Sequence, residues 1–289
     1  MERRVLGILQ TKARDLLLEM KAAVIGSPIS HSLSPLLHQA AYEQLGLDHT
    51  YSAIEIDQET FPSFIDSLDS NWLGLSLTMP LKEIAFEVVQ TVSEVAALAG
   101  SINTILINNE LSGDNTDIYG LAKAITETTS KQISVASIFG AGATTRSALV
   151  ALEGLGVEDI YLLARNPEKV AKCVDLGNEL GISVDMVPEI STNFLSTDLV
   201  INTTPKGVAD DFAQFISKPN GLYFDVVYDP WPTKFAHDWL AQGGQVIAGH
   251  QMLLHQAVRQ VQLMTGKTPD VAHMQNVLTQ ELRRRGQLN

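Results

Sequence analysis

A single cysteine, Cys173, is all that the 289 residues contain, so no internal disulfide can form and a reducing compartment, the cytoplasm, is expected. Basic residues are also scarce: 20 Lys and Arg stand against 33 Asp and Glu, a formal net charge of −13. So acidic a chain is not expected to bind nucleic acid, whose phosphates call for a basic surface. An anionic small substrate stays open, because a few local cations can override the global field. Nor is there an apolar run near the ~18 residues that span a bilayer, so no membrane partner is expected. The amino terminus lacks both the continuous apolar region and the small-residue cleavage site of a signal peptide. Met1–Glu19, with Arg3, Arg4 and Arg14 among leucines, reads either as an amphipathic helical extension or as sequence upstream of a start at Met20.

What is present is a chain able to bury a core, with 45% hydrophobic residues, and long enough for two domains at about 100–200 residues each. Strands are expected at Ala22–Ile25, Tyr51–Ile56 and Trp72–Leu77, and a hairpin at Asn103–Ile107 and Glu110–Gly113. Helices are expected at Leu36–Leu45, Thr60–Leu68, Ile84–Ala99 and Tyr119–Thr128. After the polar stretch Thr128–Gln132, near which the domain boundary is placed, strands recur at Ser134–Phe139, Asp159–Leu163, Asp198–Asn202, Leu222–Val227 and Gln245–Ile247. Two helices, Gln251–Met264 and Val271–Arg285, close the chain. Strand–helix alternation of this kind predicts an α/β fold with two domains, each built on a mainly parallel sheet, the second Rossmann-like.

The stretch Leu75-Ser76-Leu77-Thr78-Met79-Pro80-Leu81-Lys82 reads as the end of a buried strand, a turn at Pro80 and a lysine where a helix begins. Loops at strand ends are where open α/β sheets collect chemistry. A lysine held there beside an acid can exchange a proton with a hydroxyl or carbonyl; otherwise it is an exposed lysine at a helix start. Gly140-x-Gly142 follows a strand and opens a helix, the setting in which backbone N–H groups hold a pyrophosphate. At the end of the next strand stands Arg165, with Lys169 one turn later and no acid at positions 164–166. That pattern suits the 2′-phosphate of NADP better than the bare ribose of NAD. Ser32 and Ser34, two apart, point the same way in an extended chain and can serve a carboxylate or polyol, although Ser34 before Pro35 also fits a helix cap. No G-x-S-x-G elbow surrounds His31-Ser32, which excludes a serine nucleophile. His250 and His255 are poorly spaced for one helix face, so no metal site is expected.

The runs ISHSLSP, LTMPLK, SINT, DNTD, GAGAT, FDVVYDP and G-x-x-ML-x-x-QA occur in the order and rough spacing of the shikimate dehydrogenase family, which the chain resembles from about Met20 to Gly266. The resemblance implies a substrate domain over residues 20–118, an NADP-binding domain over 119–249, and C-terminal helices, 250–289, returning to the first. It implies reversible NADPH-dependent reduction of 3-dehydroshikimate to shikimate, a step of aromatic amino-acid biosynthesis. Lys82 and Asp117 would form the acid–base pair, with Ser32, Ser34, Thr78, Asn103, Asp117, Tyr228 and Gln256 around the substrate. Gly140, Ala141, Gly142, Ala143, Thr144, Arg165 and Lys169 would contact NADP(H), and Val226, Gly249 and Met252 would line the nicotinamide end. The chain departs from the family pattern at Ser76 for Asn, Ala143 for Gly, Ala164-Arg165-Asn166 for Asn-Arg-Thr, and Ile118 for Gly. Two other readings stand beside this one: a quinate/shikimate dehydrogenase using NAD or both cofactors, and a catalytically silent shikimate-binding paralogue. Monomer and homodimer are both open.

Overall fold

The computed structural model describes residues 19–288, so all of the expected extension but Glu19 lies outside the described residues. The chain builds two six-stranded sheets, one after the other. The first takes β1 (Lys21–Gly26), β2 (Thr50–Glu55), β3 (Trp72–Leu77), β4 (Thr91–Val92), β5 (Thr104–Ile107) and β6 (Leu111–Asp114), in the order β2-β1-β3-β5-β6-β4. Its β1–β2, β1–β3 and β4–β6 pairs are parallel, while β3–β5 and β5–β6 are antiparallel. Helices α1 (Ser34–Gln44), α2 (Phe61–Asp66) and α3 (Glu94–Ala99) connect these strands.

Helix α4 (Asp117–Thr128) leads into the second sheet: β7 (Val135–Phe139), β8 (Asp159–Leu163), β9 (Ser183–Met186), β10 (Leu199–Asn202), β11 (Leu222–Asp225) and β12 (Gln245–Ala248). Every pair in it is parallel, and the order β12-β11-β10-β7-β8-β9 reverses direction between β7 and β10. This is the doubly wound dinucleotide-binding order, whose ligand crevice lies beyond the strand ends at the reversal. Helices α5 (Ala143–Glu153), α6 (Pro167–Leu180) and α7 (Lys234–Ala241) provide crossovers. Local chemistry explains their ends. Asn166 caps α6 by accepting from the Lys169 N–H at 3.0 Å, Pro167 opens it, and Gly181 ends it in the left-handed region at φ 74°. The central strands β7 and β10 are buried along nearly their whole length, as a sheet covered on both faces requires.

After β12 the chain leaves the second sheet. Helices α8 (Gly249–Thr265) and α9 (Val271–Arg284) pack against α1, and Leu254, Val258 and Val261 join Val24, Leu37 and Tyr42 in the core under the first sheet. Helix α8 also crosses α4, where His255 Nε2 meets Glu127 Oε2 at 2.9 Å. The two elements that join the halves are therefore packed on one another.

Two expectations need correction, and one open alternative is decided. No long helix covers Ile84–Ala99: a single 3₁₀ turn at Ile84–Glu87 is followed by β4 and then the short α3. The β-branched Thr91 and Val92 extend instead, because the free edge of β6 accepts them as a parallel neighbour. Lys82 consequently begins no α-helix and lies in a turn, where its carbonyl accepts from the Ile102 N–H at 2.9 Å. Ser34 is not the cap of α1 but its first residue; the Ser34 N–H donates to Ser32 Oγ at 3.2 Å. The sequence reading also passed over β9, which is largely exposed, and α6 and α7, whose apolar faces bury Val170 and Leu176, and Phe235 and Trp239.

A satellite core on the outer face of the second sheet packs Trp239, with no exposed surface, against Tyr223 and Phe235 at centroid distances of 5.6 and 5.9 Å. Trp239→Ala is expected to cost about 3–5 kcal/mol, the range for deleting a buried aromatic. Chemical denaturation followed by far-UV circular dichroism checks this, and a loss below 1 kcal/mol would mean the site collapses freely.

Candidate active site

The geometry begins at the start of α4. Asp117 is its first residue, placed where the helix dipole favours a negative charge, and its N–H donates to Asn115 Oδ1 at 3.0 Å. Although only 4% exposed, its carboxylate has partners on both oxygens. Asn103 Nδ2 donates to Oδ1 at 2.8 Å, and Lys82 Nζ to Oδ2 at 2.5 Å. Asn103 is itself fixed on its other side, where its Oδ1 accepts from the Thr116 N–H and from Thr104 Oγ1, both at 2.8 Å. Its backbone oxygen accepts from Leu77 N–H at 2.7 Å, so the ends of β3 and β5 set the Lys82–Asp117 spacing.

This pair opens into a cleft of about 200 Å³. Ser32, Ser34, Thr78, Tyr228 and Gln256 line it with Lys82, Asn103 and Asp117. From the second half, Thr144, Val226, Gly249 and Met252 reach the same cleft. Burial pushes the Tyr228 phenol up to about 12, so it stays a neutral hydrogen-bonding group. Gly249 can be nothing larger, since a Cβ there would sit 2.3 Å from the Val226 carbonyl oxygen. A roomier crevice, about 500 Å³, opens on the other face of α4 between Glu94, Tyr119 and Leu155. It holds no lysine–carboxylate pair; its one cation, Arg259, bonds to Gln262.

The remaining expected residues stand at the carboxyl ends of β7 and β8. Gly140 takes φ 108°, and a Cβ on it would lie 2.5 Å from Thr203 Oγ1. Gly142 precedes α5, its N–H donating to Thr145 Oγ1 at 3.0 Å, and open space surrounds its α-carbon. The loop Gly140–Thr144 thus presents backbone to an open crevice at the sheet's reversal point. Arg165 and Lys169 are exposed beside it, and their side chains have no partner among the described residues. Two unpaired cations next to an open glycine loop fit the phosphates of NADP(H).

Sequence reasoning missed a buried polar array behind the cleft. Tyr51 OH donates to Ser76 Oγ at 2.6 Å, and Ser76 Oγ donates to Gln260 Oε1 at 2.8 Å. Gln260 Nε2 donates to Thr104 Oγ1 at 3.0 Å, and His38 Nε2 donates to Gln260 Oε1 at 3.2 Å. Ser76 and Gln260 both line the cleft, and His31 does too, as an aromatic neighbour of Tyr228 and with no part in a nucleophile. Gln260 lies 157 residues from Asn103, so no local spacing announces it; its only sequence signal is a position four residues after Gln256 on one helix. Among the described residues, no group of three His, Cys, Asp or Glu is placed to hold a metal.

A doubly wound sheet whose glycine loop faces a lysine–carboxylate pair is an arrangement suited to dehydrogenases that use a dinucleotide. Comparison with known proteins narrows the class. The profile of the "Shikimate dehydrogenase substrate binding domain" matches residues 24–105, and that of the "Shikimate 5'-dehydrogenase C-terminal domain" matches 249–279. A shikimate dehydrogenase (NADP(+)) of Methanothermobacter thermautotrophicus is 30% identical over 90% of this chain and 96% of its own. The crystal structure of Mycobacterium tuberculosis shikimate dehydrogenase superposes with a TM-score of 0.84 at 38% identity, covering 90% of this chain and 99% of that one. That of the Thermus thermophilus enzyme, in complex with NADP(H) and shikimate, gives 0.79 at 30% identity, covering 90% and 99%. The chain belongs to the shikimate dehydrogenase family.

The imidazole of His38 is fully buried, stacked on Tyr51 at 3.8 Å, and burial pulls its pKa down to about 3. A histidine depressed in the folded state takes up its proton only on unfolding, so it favours the fold above pH 6.5 and loses that contribution as pH falls. The slope is about 1.4 kcal/mol per pH unit between the unfolded and folded pKa values. Urea denaturation at pH 6 and pH 5 is expected to show wild-type stability falling more steeply than that of His38→Asn by roughly this amount. Parallel falls would mean that His38 is not the group responsible.

Proposed function

We propose that this protein catalyses the reversible, NADPH-dependent reduction of 3-dehydroshikimate to shikimate, a step toward the aromatic amino acids. The observation that carries the reading is the part-buried contact of 2.5 Å between Lys82 Nζ and Asp117 Oδ2, facing a cleft lined with hydroxyl and amide groups. On this reading the first sheet, α8 and α9 form the substrate-binding part and the second sheet the cofactor-binding part, with α4 between them. The single thiol, Cys173, supports a reducing compartment, and we assign the enzyme to the cytoplasm.

NADPH, when bound, supplies the hydride. The Gly140–Thr144 backbone would hold its pyrophosphate, Arg165 and Lys169 its 2′-phosphate, and Val226, Gly249 and Met252 would bound the nicotinamide end. Ser32, Ser34, Thr78, Tyr228 and Gln256 would bind the ring hydroxyls and carboxylate; a site with such partners rejects ligands that leave them unpaired. As the ketone is reduced, negative charge develops on its oxygen. Lys82 Nζ would donate the proton that neutralises it, and in the reverse direction accept it. Asp117 would hold the ammonium in place and balance its charge, being held itself by Asn103. Positioned acid–base help of this kind contributes roughly 10²–10⁴ in rate.

Initial rates of coenzyme reduction with shikimate or quinate, each paired with NADP or NAD, test the reading. Turnover confined to shikimate with NADP is expected. Comparable rates with quinate or NAD would make the enzyme dual-specific, and shikimate binding without any turnover would make it a silent paralogue. Lys82→Ala is expected to lower kcat by roughly 10²–10⁴ while shikimate still binds; near-normal kcat would remove Lys82 from the chemistry.

A further inference from the structure

Arg146 sits in the first turns of α5, one of the most buried cations of the chain with 6% of its side chain exposed. Each hydrogen bond of its side chain crosses to the other half of the molecule. Its Nε donates to the Ala99 carbonyl at 2.8 Å, and its Nη2 to the Gly100 carbonyl at 3.0 Å and to Glu83 Oε1 at 2.5 Å. Ala99 and Gly100 close α3, so the guanidinium meets carbonyls left unpaired at the negative end of that helix. Glu83 directly follows Lys82. Burial works to raise its pKa, but the hydrogen bond and charge of Arg146, with Lys172 and Lys169, more than offset this and hold it ionised below the usual carboxylate range. The next residue of α5 makes a parallel tie: Asn115 Nδ2 donates to Ser147 Oγ at 2.9 Å and to the Ser101 carbonyl at 2.8 Å. Asn115 in turn holds the N–H of Asp117.

The segment 99–103 therefore connects both members of the pair to α5. Ala99 and Gly100 hang on Arg146, Ser101 on Asn115, Ile102 on the Lys82 carbonyl, and Asn103 on Asp117. The glycine loop leads into this same end of α5, with Gly142 directly before its first residue. We propose that Arg146 is a positioning residue, setting the glycine loop in register with the Lys82–Asp117 pair so that hydride donor and proton donor reach the same carbon–oxygen bond together. A lysine cannot fully do the same, because a single ammonium does not reproduce three acceptors shared between two nitrogens of one guanidinium.

The inference rests on the proposed reaction, so its test has one arm with turnover and one without. In Arg146→Met, kcat for shikimate oxidation is expected to fall 10- to 100-fold with KM for shikimate changed less than threefold. The primary isotope effect with shikimate deuterated at the reacting carbon is expected to rise, because hydride transfer becomes the slow step. Arg146→Lys should recover part of kcat. A loss of folded protein alone would lower kcat without moving the isotope effect. Independently of activity, amide hydrogen exchange across residues 82–103 is expected to speed up at least tenfold in Arg146→Met. Should that variant fail to fold, Glu83→Gln, which alters only the half-exposed partner, is expected to lower kcat three- to tenfold with the same isotope signature. A kcat within twofold of wild type in the folded Arg146 variants, or in Glu83→Gln if they do not fold, overturns the proposal, as does unchanged exchange. Inactive wild-type protein would sink the proposed reaction, and the exchange result would then decide the coupling by itself.

Discussion

A carboxylate buried away from water is costly unless each of its oxygens is paired, and Asp117 meets that requirement through residues brought from two other parts of the first sheet. Lys82 comes from the turn after β3, Asn103 from the residue before β5, and the carboxylate from the first turn of α4. Because β3 and β5 are antiparallel neighbours, their ends meet at one edge of the cleft. Remove any one of the three and a charge or amide is left without its partner in a buried place. The rest of the cleft is arranged around this constraint, with hydroxyls from the α1 entrance on one side and α8 on the other.

Behind the pair, the interior is more polar than the core of a sheet usually is. Tyr51, Ser76, Gln260, Thr104 and His38 share a set of hydrogen bonds reaching from the cleft wall to a stacked Tyr–His couple. Such a network is stable only when nearly every member is satisfied, and it then restricts the side chains to one arrangement. Gln260 is its centre, and it comes from α8, the helix that returns from the second sheet. Closure of the first half thus depends on the last part of the chain.

The family resemblance and the two-sheet α/β class were legible in the residues, since strand–helix alternation and strand-end loops follow from short-range patterning. So were several polar residues of the cleft, because Ser, Thr, Asn, Asp and Lys at loop positions carry their chemistry in their side chains. The helix expected over Ile84–Ala99 failed for a physical reason. A run such as Val88-Val89-Gln90-Thr91-Val92 accepts either conformation locally, and only the free edge of β6, some twenty residues further on, decides for the strand. Ser34 was open between cap and ligand; the backbone chose Ser32 as the local acceptor and left Ser34 on the cleft.

From the sequence alone came the alternation of strands and helices, the glycine loop with its two cations, and the lysine and aspartate that meet in the cleft, because these depend on residue type and near neighbours. Tertiary structure decided distance. Lys82 and Asp117 are 35 residues apart, Asn103 and Gln260 157, and Arg146 and Glu83 63. None of these pairs has a periodicity to betray it. Each is made by strand register and helix crossing, which arise when the whole chain buries its apolar surface at once.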